Sequence, residues 1–183
     1  SKVLFSVAMT VMMLFSVAVS ASPKKLVLGF AQIGAESGWR TAETGSIKAA
    51  AKAQGITLKF SDAQQKQENQ IKALRSFIAQ KVDVIALAPV VESGWDTVLQ
   101  EAKKAKIPVI IVDRTINVKD ESLYATFVGS DFPLEGKNAA IEMAKLLNNT
   151  GNIVELQGTV GSSAQVDRLK GFADEIAKYS NIK

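Results

Sequence analysis

The stretch VIALAPVVESGWDTVLQEAKKAKIPVIIVDR, residues 84–114, carries most of the fold assignment. Its two short apolar runs, VIALA at 84–88 and VIIV at 109–112, lack polar alternation, the pattern of strands buried on both faces of a parallel sheet. Between them Trp95, Val98, Leu99 and Ala102 recur at spacings of three and four, which lines them up on one face of a helix. Pro108 breaks the helical pattern just ahead of the second run. The stretch therefore reads as strand, crossover helix and parallel strand.

Working outward, the same alternation recurs. Further apolar runs lie at Leu26–Ala31, Thr57–Phe60, Ala125–Val128 and Asn152–Leu156. TLKF at 57–60 alternates and is expected at a sheet edge. Helical stripes are predicted through Ile71, Leu74 and Ile78, through Ala140, Met143, Ala144 and Leu147, and through Val166, Leu169, Ala173 and Ile176. Strand starts near 26, 57, 84 and 109 are 31, 27 and 25 residues apart, about one βα unit each. Gly55 follows the first helix, and Asp131 with Pro133 opens a later one. The fold class is α/β, a parallel sheet flanked by helices with right-handed crossovers expected.

Residues 3–19, VLFSVAMTVMMLFSVAV, carry no charge, follow Lys2 and run into small residues at Val19 and Ala21. A positive start, an apolar core and a small-residue cleavage site describe a secretory signal peptide over residues 1–21. A membrane anchor is the competing reading, because the run is near the lower limit of about 17 residues for a span. Export with no cysteine to carry a lipid suits the periplasm. The chain opens on Ser1 and closes at Lys183 just after a helical pattern, and it is expected to be an amino-terminal fragment.

Composition narrows the chemistry. The 183 residues include no Cys and no His, which removes disulfides, thiolate metal sites, Cys nucleophiles and the imidazole base. No metal, no cofactor and no catalytic residue is expected. Net charge is only +4, with no block of like charge, so nucleic acid is not an expected partner. Gly34 and Gly38 are spaced G-x-x-x-G, which is not the dinucleotide fingerprint, and no P-loop sequence occurs. Asn148-Asn149-Thr150 fits a glycosylation acceptor, a pattern too short to weigh.

Ligands of open parallel sheets bind beyond the carboxyl ends of the strands. After the first run comes Gln32-Ile33-Gly34-Ala35-Glu36-Ser37-Gly38-Trp39-Arg40, with a carboxylate, a hydroxyl, an indole and a guanidinium together. On that segment alone, Trp39 in the core with Arg40 on a solvated helix face is as open a reading as a binding site. VIIV runs straight into Asp113-Arg114-Thr115, a charged pair too costly to bury unpartnered. Such a pair can accept from and donate to adjacent hydroxyls of a polyol while an indole covers a sugar face, or it can be a structural salt bridge to a neighbouring helix. The third segment, Gln157-Gly158-Thr159-Val160-Gly161-Ser162-Ser163, suits a helix start near a polar ligand, and Arg168 one turn on either reaches back to it or stands as an exposed helix arginine. A glycosidase needs one protonated carboxyl of a pair, whereas Asp113 beside Arg114 is expected to stay ionised.

The segments GFAQIGAESGWRTAE, DAQQKQENQIKALRSFIAQKVDVIALAPVVESGWD, IPVIIVDR and VELQGTVGSSAQVDRLKGF closely resemble the periplasmic sugar-binding proteins of ATP-driven importers, the ribose/galactose type, and within them the galactofuranose-binding branch. The resemblance covers essentially the whole chain after residue 21. It implies a type I periplasmic-binding-protein fold in which two α/β lobes close on a sugar, with residues 22–129 as most of the first lobe and 130–183 as the start of the second. It implies ligand contacts at Glu36, Ser37, Gly38, Trp39, Arg40, Asp113, Arg114 and Arg168. Ribose-type members carry two adjacent aromatics in the first loop, whereas Trp39 is followed here by Arg40, which favours the furanose branch. The partners implied are a monosaccharide and an importer's membrane permease, with the receptor itself a monomer and not an enzyme. Two rival readings are a sugar-responsive regulator of the lactose-repressor type, which would need a helix-turn-helix where the apolar leader stands, and a secreted sugar-active enzyme.

Overall fold

The structure is a computed structural model and describes residues 24–183; the expected signal peptide lies outside the described residues. Five strands, β1 (Val27–Gln32), β2 (Thr57–Asp62), β3 (Val84–Leu87), β4 (Val109–Asp113) and β5 (Thr126–Gly129), form one sheet in the order β2-β1-β3-β4-β5. All four pairings are parallel, in registers such as Phe30 opposite Phe60 and Ala86, and Ile111 opposite Phe127. Helices α1 (Gly38–Ala53), α2 (Gln67–Ala79) and α3 (Asp96–Lys104) connect the strands, and α4 (Phe132–Leu146) and α5 (Ser163–Ile176) follow them.

Alternate residues of each strand feed opposite layers. On one face Ala31, Ile85, Leu87, Val109 and Ile111 pack with Leu74 and Phe77 of α2 and Trp95, Val98 and Leu99 at α3. On the other, Phe30, Ala86, Ala88 and Val90 pack with Ile47 of α1. β1 and β2 are joined across one face, while the next two connections cross the other; the direction of winding therefore reverses between β1 and β3. That reversal opens a crevice at the carboxyl ends of these strands. Buried Gln70 of α2 braces it, donating to the carbonyls of Ala88 and Ala31 and accepting from the Val90 amide at 2.9 Å.

The expected edge strand at 57–60 is indeed an edge. One expected strand is not formed: at Asn152–Leu156 only a short pairing joins Gly151 and Ile153 to residues 181–183. Val154 and Leu156 are 88% and 92% exposed, and a segment without a ladder beside it among the described residues does not register as a strand. The stripes of α4 and α5 are likewise only partly covered. Ala140 and Ala144 are buried, but Met143 and Val166 are exposed, because these two helices pack chiefly on each other.

Candidate functional site

The crevice is shaped first by the turn after β1. Ser37 caps α1, its hydroxyl accepting from the Arg40 amide at 3.1 Å, and this fixes where the first turn points. Arg40 then enters the protein rather than solvent: its side chain is 3% exposed. Nε donates to Glu36 Oε1 at 3.0 Å, Nη1 to Glu43 Oε2 at 2.6 Å and Nη2 to Asp113 Oδ2 at 2.7 Å. Burial opposes the charge on Arg40, yet hydrogen bonds to Asp113, Glu36 and Glu43 overcome it and hold the pKa above the ordinary arginine value. The guanidinium is a hub for three carboxylates.

Asp113 closes β4 with φ +65°, a left-handed conformation that carbonyl-bearing short side chains tolerate better than most. Its Oδ2 meets Arg40, and the hydrogen bonds leave Oδ1 open. Beside it Arg114 is differently placed. Its guanidinium donates one hydrogen bond, from Nη1 to the Val90 carbonyl at 3.3 Å, and its Nε lies 3.9 Å from Asp113 Oδ2. Among the described residues no side-chain nitrogen or oxygen is both fully buried and unpartnered, so Arg114 Nε and Nη2, which make no hydrogen bond, are not completely buried. Burial, then the charge of Arg40 and, more weakly, that of Arg168 push the Arg114 pKa down, against the pull of Asp113 and Glu36. A cation this little compensated favours any incoming acceptor.

Arg114 and Arg168 line one cleft of about 290 Å³ with Gln157, Thr159, Ser162 and Gln165. Ser162 caps α5 and Gly161 precedes it at φ +79°, as a helix start opening onto the cleft requires. Arg168 itself pairs with Glu135 at 2.7 Å and stacks over Phe132 at 4.4 Å, so it lines the cleft with a partner already in hand. Trp39 is 59% exposed with the Arg40 guanidinium 4.9 Å from its ring centre.

The structure thus brings Glu36 and Asp113 onto Arg40, sets Arg114 beside Asp113, and puts Arg114 and Arg168 on the lining of one cleft. Both simple readings of the first loop fail: Trp39 is outside the core and Arg40 is not solvated. The structural salt bridge weighed for Asp113 does exist, to Arg40 of α1. Gly38 has no neighbour within 4 Å of where a Cβ would stand, so no close approach requires it. Sequence reasoning missed Glu43 and Gln32. The spacing of Glu36, Arg40 and Glu43 carried a signal for the first, and a glutamine ending an apolar strand carried one for the second. Ser163, read among the hydroxyls of the third segment, accepts from the Thr115 amide at 2.9 Å, a long-range contact that nothing local foretells.

Residues 28–183 match the family described as periplasmic binding protein domain. The chain belongs to that family. This periplasmic-binding-protein chain is 58% identical over 159 residues to the galactofuranose-binding protein YtfQ of Escherichia coli (strain K12), an alignment covering 86% of the chain and 50% of the relative. Among solved structures, the binding component of an arabinose transporter from Shewanella sp. ANA-3, bound to alpha and beta-L-arabinofuranose, superposes with a TM-score of 0.84 at 57% identity, covering 86% of this chain and 52% of that one. A protein from Mycobacterium smegmatis in complex with beta-D-fucofuranose gives 0.84 at 54%, with 86% and 53% covered. The chain spans about half the length of the curated relatives it matches. The expected type I fold is confirmed by the parallel five-stranded sheet and by these superpositions.

Proposed function

We propose that this chain is the amino-terminal part of an exported receptor that captures a furanose sugar, galactofuranose or a near analogue, and delivers it to the permease of an ATP-driven importer. In this reading residues 1–21 direct export to the periplasm, residues 22–129 form most of the first lobe and residues 130–183 begin the second. The protein binds and releases its sugar as a monomer without chemical change.

The observation that carries the reading is the Arg114 guanidinium, which lines a cleft and makes one hydrogen bond, next to Asp113, whose Oδ1 accepts none, with the exposed Trp39 indole in the first turn of α1. Fixed donors and fixed acceptors next to an aromatic surface are what vicinal hydroxyls on an apolar ring demand. Glu36 and Asp113 accept, Arg114 and Arg168 donate, Trp39 covers a ring face, and Ser37 and Gly38 set the first turn of α1. Arg40 stands behind the carboxylates. The furanoses in two similar structures, at more than half sequence identity, favour a five-membered ring.

Thermal unfolding of the full-length gene product with a panel of pentoses and hexoses tests this. A furanose-forming sugar such as L-arabinose or D-galactose is expected to raise the midpoint at millimolar concentration, since ligand binding to the folded state stabilises it by mass action. No shift with any sugar would overturn it.

A further inference from the structure

We infer that Glu43 is a positioning residue for ligand capture, acting through Arg40. The inference rests on the sugar-site reading and adds a residue that does not face the ligand. Glu43 sits on α1, its side chain 11% exposed, and one oxygen, Oε2, accepts both from Arg40 Nη1 at 2.6 Å and from Gln32 Nε2 at 3.0 Å. Gln32 is itself anchored. It is fully buried at the end of β1, its Oε1 accepting from the Ile33 amide at 2.8 Å and its Nε2 shared with Thr44 Oγ1 at 3.0 Å. A chain of contacts therefore runs from the β1 backbone through Gln32 and Glu43 to the guanidinium.

The consequence lies in what Arg40 then presents. With Nη1 anchored on Glu43, Nε and Nη2 are directed at Glu36 Oε1 and Asp113 Oδ2, and the outer oxygens of both carboxylates stay available as acceptors. Without the anchor the guanidinium is held only by Glu36 and Asp113 themselves and can shift with them, so the acceptors lose a fixed reference and binding must pay to order them again. Glu43 contributes geometry, and the ligand never needs to touch it.

The test is made on the full-length gene product with L-arabinose and D-galactose as probes. Glu43→Gln keeps the shape and an acceptor oxygen but removes the charge; it is expected to weaken binding of the responding sugar about tenfold in calorimetry. In an Arg40→Lys background, where the fork is absent, the same change is expected to cost less than about threefold, the non-additivity of residues acting as one unit. Binding by Glu43→Gln within about twofold of the parent, or an equal loss in both backgrounds, overturns the inference. Nitrogen-15 NMR of the Arg40 guanidinium in the sugar-free parent provides an arm that needs neither ligand nor variant. Slow rotation with resolved terminal nitrogens is expected, and a freely rotating group overturns the anchor. Should no sugar bind the parent, the functional reading falls while this NMR result still judges the anchor.

Discussion

At the residue scale two arginines a strand end apart have opposite roles. Arg40 is held by three carboxylates and nearly sealed from water; the Arg114 guanidinium makes one weak hydrogen bond and has donors left over. Replacing Arg40 by Met strands three acidic groups around an apolar side chain, and a stability loss of about 3–5 kcal/mol is expected in urea unfolding. A loss inside the ~0–1 kcal/mol typical of exposed pairs would mean that water reaches the hub. Arg114→Ala is expected to do the reverse, leaving the fold little changed while reducing sugar affinity by about 1.5–3 kcal/mol through loss of charged hydrogen bonds. Calorimetry showing parental affinity would make Arg114 a structural partner only. That Asp113 would be partnered was legible in the sequence, because charge at the end of a buried strand is costly to leave unpaired. That Arg40 rather than Arg114 is the main partner of Asp113 was not, since the contact spans 73 positions.

At the scale of elements, α4 and α5 cross at small residues. A Cβ on Gly171 would stand 2.0 Å from the Pro133 carbonyl oxygen, and one on Gly136 2.1 Å from that of Arg168. These are backbone atoms with no rotamer to relax into, so Gly171→Ala is expected to force the helices apart and lower stability by about 1–3 kcal/mol, read from the unfolding midpoint. An unchanged midpoint would place the crossing farther apart. The helices themselves were readable from spacing, caps and Pro133, as the Asp131 cap accepting from the Leu134 amide bears out. Their partner was not: an apolar stripe says that a face needs covering, never by what. For the same reason the run at 152–156 read as a strand on composition yet lacks the neighbour that a ladder requires.

At the scale of the whole molecule, the sheet and α5 are tied by few bonds. The Glu92 amide donates to the Gly161 carbonyl at 3.0 Å, and the Thr115 amide donates to Ser163 at 2.9 Å. Glu92 is held above the usual glutamate range by burial first and by the charge of Asp167 second, and Asp167 is raised by burial and by Asp131. A carboxyl raised in the fold binds its proton more tightly there than in the unfolded chain. Its stabilising contribution is therefore complete below the ordinary value of about 4.3 and is lost as pH climbs through the folded value. Glu92→Gln, neutral at every pH, is expected to melt higher than the parent at pH 7, with the gap narrowing toward pH 4. An equal gap at both would show that the carboxylate is not strained by its surroundings. Periodicity, punctuation and unalternated apolar runs were enough to specify an α/β chain with β2 at an edge and charged groups just past the strand ends, because these follow from which side chains avoid water along a local segment. The winding reversal between β1 and β3, the choice of Arg40 as a buried hub and the Gln32–Glu43 anchor behind it came from three dimensions alone. They depend on which distant groups meet once the sheet is assembled, and a hydrogen bond or ion pair is worth most where that assembly has already removed the water.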